Sequence, residues 1–308
     1  MTHAIETHGL TRRFDGRIAV DGLSLTIEEG TVFGFLGPNG AGKTTTVRML
    51  AALIAPTDGD AIVAGNVLGV DDTALRRSVG ILTEQPGLYD RLSARQNLRY
   101  FARLYDLDSE RADAQVERYL HLLELWDRRD EPVGTFSKGM RQKLAIARAL
   151  LHEPTVVFLD EPTAALDPEA ARTVRDFVKE LKAEGRTIFL TTHNLPEADE
   201  LCDSIGIFQQ RLLRMGSPAE LRAGLFGAGT VVRVVGDAAP YVSVVRVLPF
   251  VREVRAHGDM LTVQLDDPDS RNPDLVDALR EAGARIRYVE RLQHSLEDVY
   301  LRLVGARQ

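Results

Sequence analysis

An apolar run, residues 155–159 (TVVFL), ends in two adjacent carboxylates, Asp160 and Glu161, and constrains the fold more than any other stretch of the chain. A strand without polar alternation must be covered on both faces, which implies a parallel sheet packed between helices. Upstream, Ser137 offers an N-cap to a helix whose Met140, Leu144, Ala147 and Leu151 share one face. Pro154 turns that helix into the strand, and residues 171–208 then alternate helical and apolar extended patterns. Parallel strands joined by right-handed helical crossovers account for this order. In such sheets a carboxylate at the C-terminal end of a strand emerges where ligands bind.

A second feature names the ligand chemistry. Residues 31–36 (TVFGFL) read as a strand that runs into Gly37, Pro38, Asn39, Gly40, Ala41, Gly42, Lys43 and Thr44, with Thr45 following, and residues 43–53 read as a helix. This is the G-x-x-x-x-G-K-[ST] phosphate loop in its required strand–loop–helix context. Glycines let successive backbone N–H groups converge on phosphate oxygens, and the helix start adds its positive dipole end. Lys43 supplies a compact charge for the β- and γ-phosphates, and the Thr44 hydroxyl suits Mg²⁺. Only five of the 38 basic residues are lysines, so a lysine here is informative. Asp160 is then expected to hold the metal through water, and Glu161 to polarise the water that attacks the γ-phosphate. Ser137 and the bare backbone at Gly139 make a second candidate anion site.

Around this core the chain divides further. Residues 1–30 alternate apolar and polar positions (Ile18, Val20, then Leu23, Leu25, Ile27), which suggests short antiparallel strands. Residues 86–152 are mostly helical, with candidate helices over 92–107, 109–127 and after Ser137. Glycines cluster at 224–229, where a linker is expected, and the order beyond it suggests a small α+β domain. The expected domains are therefore 1–225 and 226–308. The net charge of −7 argues against a nucleic-acid surface. A single cysteine, Cys202, excludes an intrachain disulfide and reads as a buried, inert thiol. No apolar run approaches the ~18–20 residues that span a bilayer. The N-terminal segment has neither the basic nor the apolar region of a secretory signal, so none is expected.

Residues 1–225 resemble the ATP-binding subunits of ABC transporters. Gly37–Thr44 is similar to the family's Walker A loop, and Val156–Asp160 with Glu161 to its Walker B strand and catalytic glutamate. Gln85 corresponds to the Q-loop glutamine, which the resemblance places on the metal, and His193 to the switch histidine at the γ-phosphate. Phe14 corresponds to the aromatic residue that stacks on adenine, and residues 164–167 (AALD) to the D-loop. The family's LSGGQ signature stands here as residues 136–140 (FSKGM), which keep Ser137 and Gly139 and place Lys138 between them. Ala164 and Ala165 replace the usual Ser and Gly of the D-loop. The resemblance implies a P-loop ABC-type α/β core with a helical subdomain, with ATP and Mg²⁺ as cofactors.

It also implies that a second copy of this chain, or a related ATP-binding subunit, closes with it head to tail, each ATP lying between one subunit's Walker A loop and the other's signature. A separate membrane-spanning permease would complete the machine, with this chain peripheral on the cytoplasmic face of the membrane. Residues 294–305 (HSLEDVYLRLVG) resemble the tail of the drug- and antibiotic-export subfamily, which includes daunorubicin-resistance-type subunits. The expected function is thus ATP hydrolysis that powers export of drugs, antibiotics or other hydrophobic compounds. The alternative is a soluble ABC-type ATPase acting on ribosomes or DNA. That class usually carries two nucleotide domains, a long coiled-coil insertion or a basic surface, and the chain has one phosphate loop and none of these.

Overall fold

The computed structural model describes residues 2–83, 86–226, 229–292 and 294–305. Two compact units divide the chain, Met1–Pro218 and Ala219–Gln308. The expected linker over 224–229 is in part a helix, Pro218–Phe226, so the division falls earlier than residue 225. Pro218 at the first helical position and Glu220 in the first turn favour that helix, and one interior glycine, Gly224, does not break it.

The first unit begins β1 (His3–Phe14), β2 (Arg17–Glu28), β3 (Val32–Leu36), α1 (Lys43–Leu50), β4 (Asp58–Val63), β5 (Asn66–Val67), α2 (Asp72–Ser78) and β6 (Val79–Leu82). A helical stretch follows, α3 (Ala94–Leu104), α4 (Ser109–Leu122) and α5 (Lys138–Leu150). The unit then runs β7 (Val156–Asp160), α6 (Pro168–Ala183), β8 (Thr187–Thr192), α7 (Leu195–Leu201), β9 (Ser204–Gln209) and β10 (Arg211–Gly216).

β2, β1, β4 and β5 form an antiparallel sheet in that order. β1 and β2 are 12-residue strands, longer than the short ones the pattern suggests. The alternation changes parity between Val20 and Leu23 because one extra residue bulges out of β2 beside Gly22, whose φ is 60°. What reads as two strands is one.

The second sheet has six strands in the order β10-β9-β3-β8-β7-β6, parallel except for the edge strand β10. Every residue of β3, β7 and β8 is buried, as the apolar runs require. One face carries Phe33, Phe35, Phe158, Phe189 and Phe208, with Phe35 and Phe208 4.5 Å apart and Phe33 and Phe189 5.3 Å apart. These rings share a core with Ile5, Leu10, Leu23 and Ile27 of the antiparallel sheet. Each buried phenylalanine contributes about 1.5–3 kcal/mol. Side chains alternate along a strand, so Gly34 points the other way. There it makes room for Cys202, whose sulfur lies 2.6 Å from where a Cβ would be. Burial pushes that thiol well above the usual range.

α3 starts with a full capping box between Ser93 and Gln96, and α4 with an Asp108 cap. The helix expected over 109–127 stops at Leu122, because Glu124 takes a left-handed φ of 58°. That turn lets Leu120, Leu123 and Leu125 all be buried. Among the described residues no helix is long and apolar enough to cross a membrane.

In the second unit α8 (Pro218–Phe226) precedes β11 (Gly229–Val234), α9 (Val242–Arg246), β12 (Val251–His257), β13 (Met260–Leu265), α10 (Pro268–Glu281), β14 (Ile286–Arg291) and α11 (Leu296–Gly305). Its four strands form an antiparallel sheet in the order β12-β13-β11-β14. This is the split β-α-β-β-α-β topology, an α+β arrangement. Its core joins Val232, Val234, Leu261, Val263 and Leu265 to Leu275 and Leu279 of α10.

Candidate functional site

Strand order assembles the site. β3, β8 and β7 are neighbours, with Leu36 beside Thr192 and Asp160 beside Thr191, so the residues that follow all three strands meet at one edge. The loop after β3 depends on its glycines. A Cβ at Gly37 would lie 2.2 Å from the Phe208 carbonyl oxygen, and one at Gly42 2.2 Å from that of Ala19. Gly42 also has a φ of 105°, in the region side chains avoid.

Lys43 opens α1 with its side chain 6% exposed. Its Nζ donates to the Gly37 carbonyl at 2.7 Å and lies 3.3 Å from Oε1 of Glu161. Glu161 follows β7 with a left-handed φ of 51°, and its N–H donates to the Thr191 carbonyl at 3.1 Å. Its other oxygen, Oε2, is 2.8 Å from Nδ1 of His193. Asp160, 3% exposed, accepts a hydrogen bond from the Thr191 hydroxyl. One carboxylate therefore bridges the phosphate-loop lysine and the histidine, and a second lies beneath them.

These groups line one cavity of about 480 Å³, with Pro38, Asn39, Gly40, Ala41, Gly42, Lys43, Thr44 and Thr45 on one side and Asp160, Glu161 and His193 on the other. Ala19 and Ala164 complete the lining. Ser137 and Gly139 do not line it. Ser137 caps α5, accepting from the Met140 N–H at 3.2 Å. A Cβ at Gly139 would lie 3.2 Å from that of Ala170. Phe14 also lies outside the lining; it ends β1 and is 42% exposed, with the Arg12 guanidinium 4.5 Å from its ring centroid. Gln85 lies outside the described residues.

Other residues were not evident from the sequence. Thr191, fully buried, holds both Asp160 and Glu161; its only signal is a polar pair closing an apolar strand. Gln142 of α5 donates to the Pro162 carbonyl at 3.1 Å, joining that helix to the turn after Glu161. In the same turn Ala165 has a left-handed φ of 54°, at a position where the resemblance expects glycine. An alanine there costs roughly 1–2 kcal/mol.

A glycine loop between a parallel strand and a helix, a buried lysine at its end and a carboxylate on a nearby strand define a P-loop nucleoside triphosphatase. Residues 20–164 match the family model described as ABC transporter, and residues 216–304 match the ATP-binding protein DrrA1-3-like C-terminal domain. The chain is similar to the daunorubicin resistance ATP-binding protein DrrA3 of Streptomyces coeruleorubidus, at 37% identity over 98% of this chain and 96% of that one. It is similar also to the Nod factor export ATP-binding protein I of Rhizobium sp. (strain N33), at 35% identity over 98% and 97% of the two chains. Among solved structures it resembles the ATP-binding cassette MJ0796 in a dimeric, post-hydrolysis state bound to ADP and Pi. That match has a TM-score of 0.63 and 25% identity over 69% of this chain and 98% of that one. The chain belongs to the ATP-binding subunits of ABC transporters, and it is an ATPase of that family.

Proposed function

We propose that this chain powers a membrane exporter of drugs, antibiotics or other hydrophobic compounds, working as a head-to-tail dimer on a separate permease at the cytoplasmic face of the membrane. The observation that carries hydrolysis is the Glu161 carboxylate held between Lys43 and His193 in one cavity. Support for export comes from full-length similarity to proteins named for daunorubicin resistance and Nod factor export, with the C-terminal unit included.

In this reading the loop from Gly37 to Thr45 cradles the phosphates and Lys43 neutralises them. Glu161 accepts a proton from the attacking water, and His193 holds that carboxylate and reaches the γ-phosphate. Thr44 and Asp160 offer oxygen donors in the same cavity, a donor set suited to Mg²⁺ rather than to a softer metal. The ion would offset phosphate charge. Gln85 is its further candidate ligand, and Phe14 the candidate adenine contact. Ser137 and Gly139 stay outside their own subunit's cavity, which supports their serving the ATP of a second copy.

The test is purification of the tagged chain from its native membranes. Recovery with a polytopic membrane protein is the expected result. Recovery only with ribosomes or DNA would overturn the exporter reading. Replacement of Lys43 by alanine should abolish ATP binding by calorimetry.

A further inference from the structure

Glu197 is 2% exposed on the first turn of α7, a buried carboxyl group with no part in the chemistry above. Its Oε2 accepts a hydrogen bond from the Thr192 hydroxyl at 2.8 Å. The same hydroxyl oxygen accepts from the Asn194 N–H at 2.9 Å. The Asn194 side-chain oxygen in turn accepts from the Glu197 N–H at 3.2 Å. Residues on both sides of His193 are thus tied to Glu197, while the His193 side chain itself is 60% exposed. The imidazole is therefore held chiefly by its contact with Glu161 and by the turn that carries it.

The other carboxylate oxygen, Oε1, is buried without a hydrogen-bond partner among the described residues, and Arg175 of α6 and Glu161 are the charged groups that act on the carboxyl group. We infer that Glu197 is a positioning residue for ATP hydrolysis: it fixes the turn Thr192–His193–Asn194 so that His193 meets the Glu161 carboxylate. This rests on the reading of His193 given above.

Two physical points favour the inference over a purely structural role. Burying a carboxyl group costs stability that a leucine at the same place would not. Burial pushes the Glu197 carboxyl above its usual range, against the pull of the Thr192 hydroxyl. The geometry obtained in return is specific. The Thr192 hydroxyl has one proton, and with its oxygen taken by the Asn194 N–H it needs an acceptor where Glu197 stands. A glutamine oxygen can supply that acceptor, whereas a methionine cannot.

A double-mutant cycle on the full chain tests this, with ATP turnover and ATP binding measured separately. Glu197→Met should lower kcat roughly ten- to a hundredfold, the scale of a misplaced catalytic group, with ATP affinity unchanged. Glu197→Gln should recover most of that loss. In a His193→Ala background Glu197→Met should add nothing further, because the group it positions is gone. Thr192→Val removes the held hydroxyl and should repeat the loss, which covers a Glu197→Met chain that does not fold. Multiplying losses in the double variant, or affinity falling in step with kcat, would overturn the proposal. Wild-type turnover in His193→Ala alone would overturn the His193 reading itself, and that arm is read independently of Glu197.

Discussion

Lys43 and Glu161 form an ion pair at 3.3 Å within the cavity that is to receive phosphate. The cation proposed to bind the γ-phosphate is already neutralised by the carboxylate proposed to activate water. Arriving phosphate must therefore compete with Glu161 for Lys43, and its greater charge favours the exchange. On that proposal, binding frees the carboxylate that is to activate water.

Replacement of Glu161 by glutamine removes both the base and the competitor. Turnover should fall by about 10²–10⁴, while ATP affinity should hold or rise. Phosphate release and calorimetry on one preparation separate the two effects. Turnover near wild type would refute the base, and clearly weaker ATP binding would refute the competition.

Two glycines in the phosphate loop should behave differently. Gly42→Ala drives a Cβ into the Ala19 carbonyl at 2.2 Å from a φ of 105°, so it should lose roughly 1–3 kcal/mol and displace Lys43. Gly40 has a φ of 79° but nothing within 4 Å of an added Cβ, so alanine there should carry only the backbone strain, about 1–2 kcal/mol, without a clash added to it. Thermal unfolding of the two variants gives the comparison. Equal losses would mean that conformation, not contact, governs both.

Shared sites predict complementation. Lys43→Ala and Ser137→Ala chains should each be inactive alone, yet a mixture should regain part of the ATPase rate, because one composite site keeps both groups. Mass measurement must show that mixed dimers form. If they form and stay inactive, the two residues do not serve one ATP across the interface.

His152 sets a pH dependence. Its ring stacks on Tyr105 at 3.8 Å, and Nε2 lies 3.0 Å from the Val79 carbonyl oxygen. Burial lowers its affinity for a proton below the ordinary imidazole value of about 6.5. As pH falls through about 6.5 the unfolded chain takes up a proton that the folded one refuses, so stability falls with pH in that window. Urea unfolding should show a steeper loss for the wild type than for His152→Gln between about pH 7 and 5. Parallel curves would exclude the effect.

The phosphate loop was readable in sequence because its demands are local: a positive φ or a nearby carbonyl leaves only glycine. Asp160 and Glu161 were readable because a fully apolar strand announces where it ends. Thr191 and Glu197 were not. A threonine near a strand end and an acid on a short helix look solvent-facing until the sheet order brings β8 beside β7. Likewise Gly22 could be read as a break between strands, since a bulge and a turn begin with the same residue. For a similar reason the glycines near 224 read as a linker although Gly224 sits inside a helix that Pro218 starts. Phe14, at the end of β1, lies outside the lining of the phosphate-loop cavity, so its reading as an adenine contact rests on the resemblance alone.

The fit of Cys202 against Gly34 has a practical consequence for spectroscopy. The chain's only sulfhydryl is 8% exposed and resists ionisation, so maleimide dyes or spin labels should ignore it. A cysteine introduced on the exposed surface beside Ser137 would become its sole addressable position, through which distances between two copies could be followed through the ATP cycle.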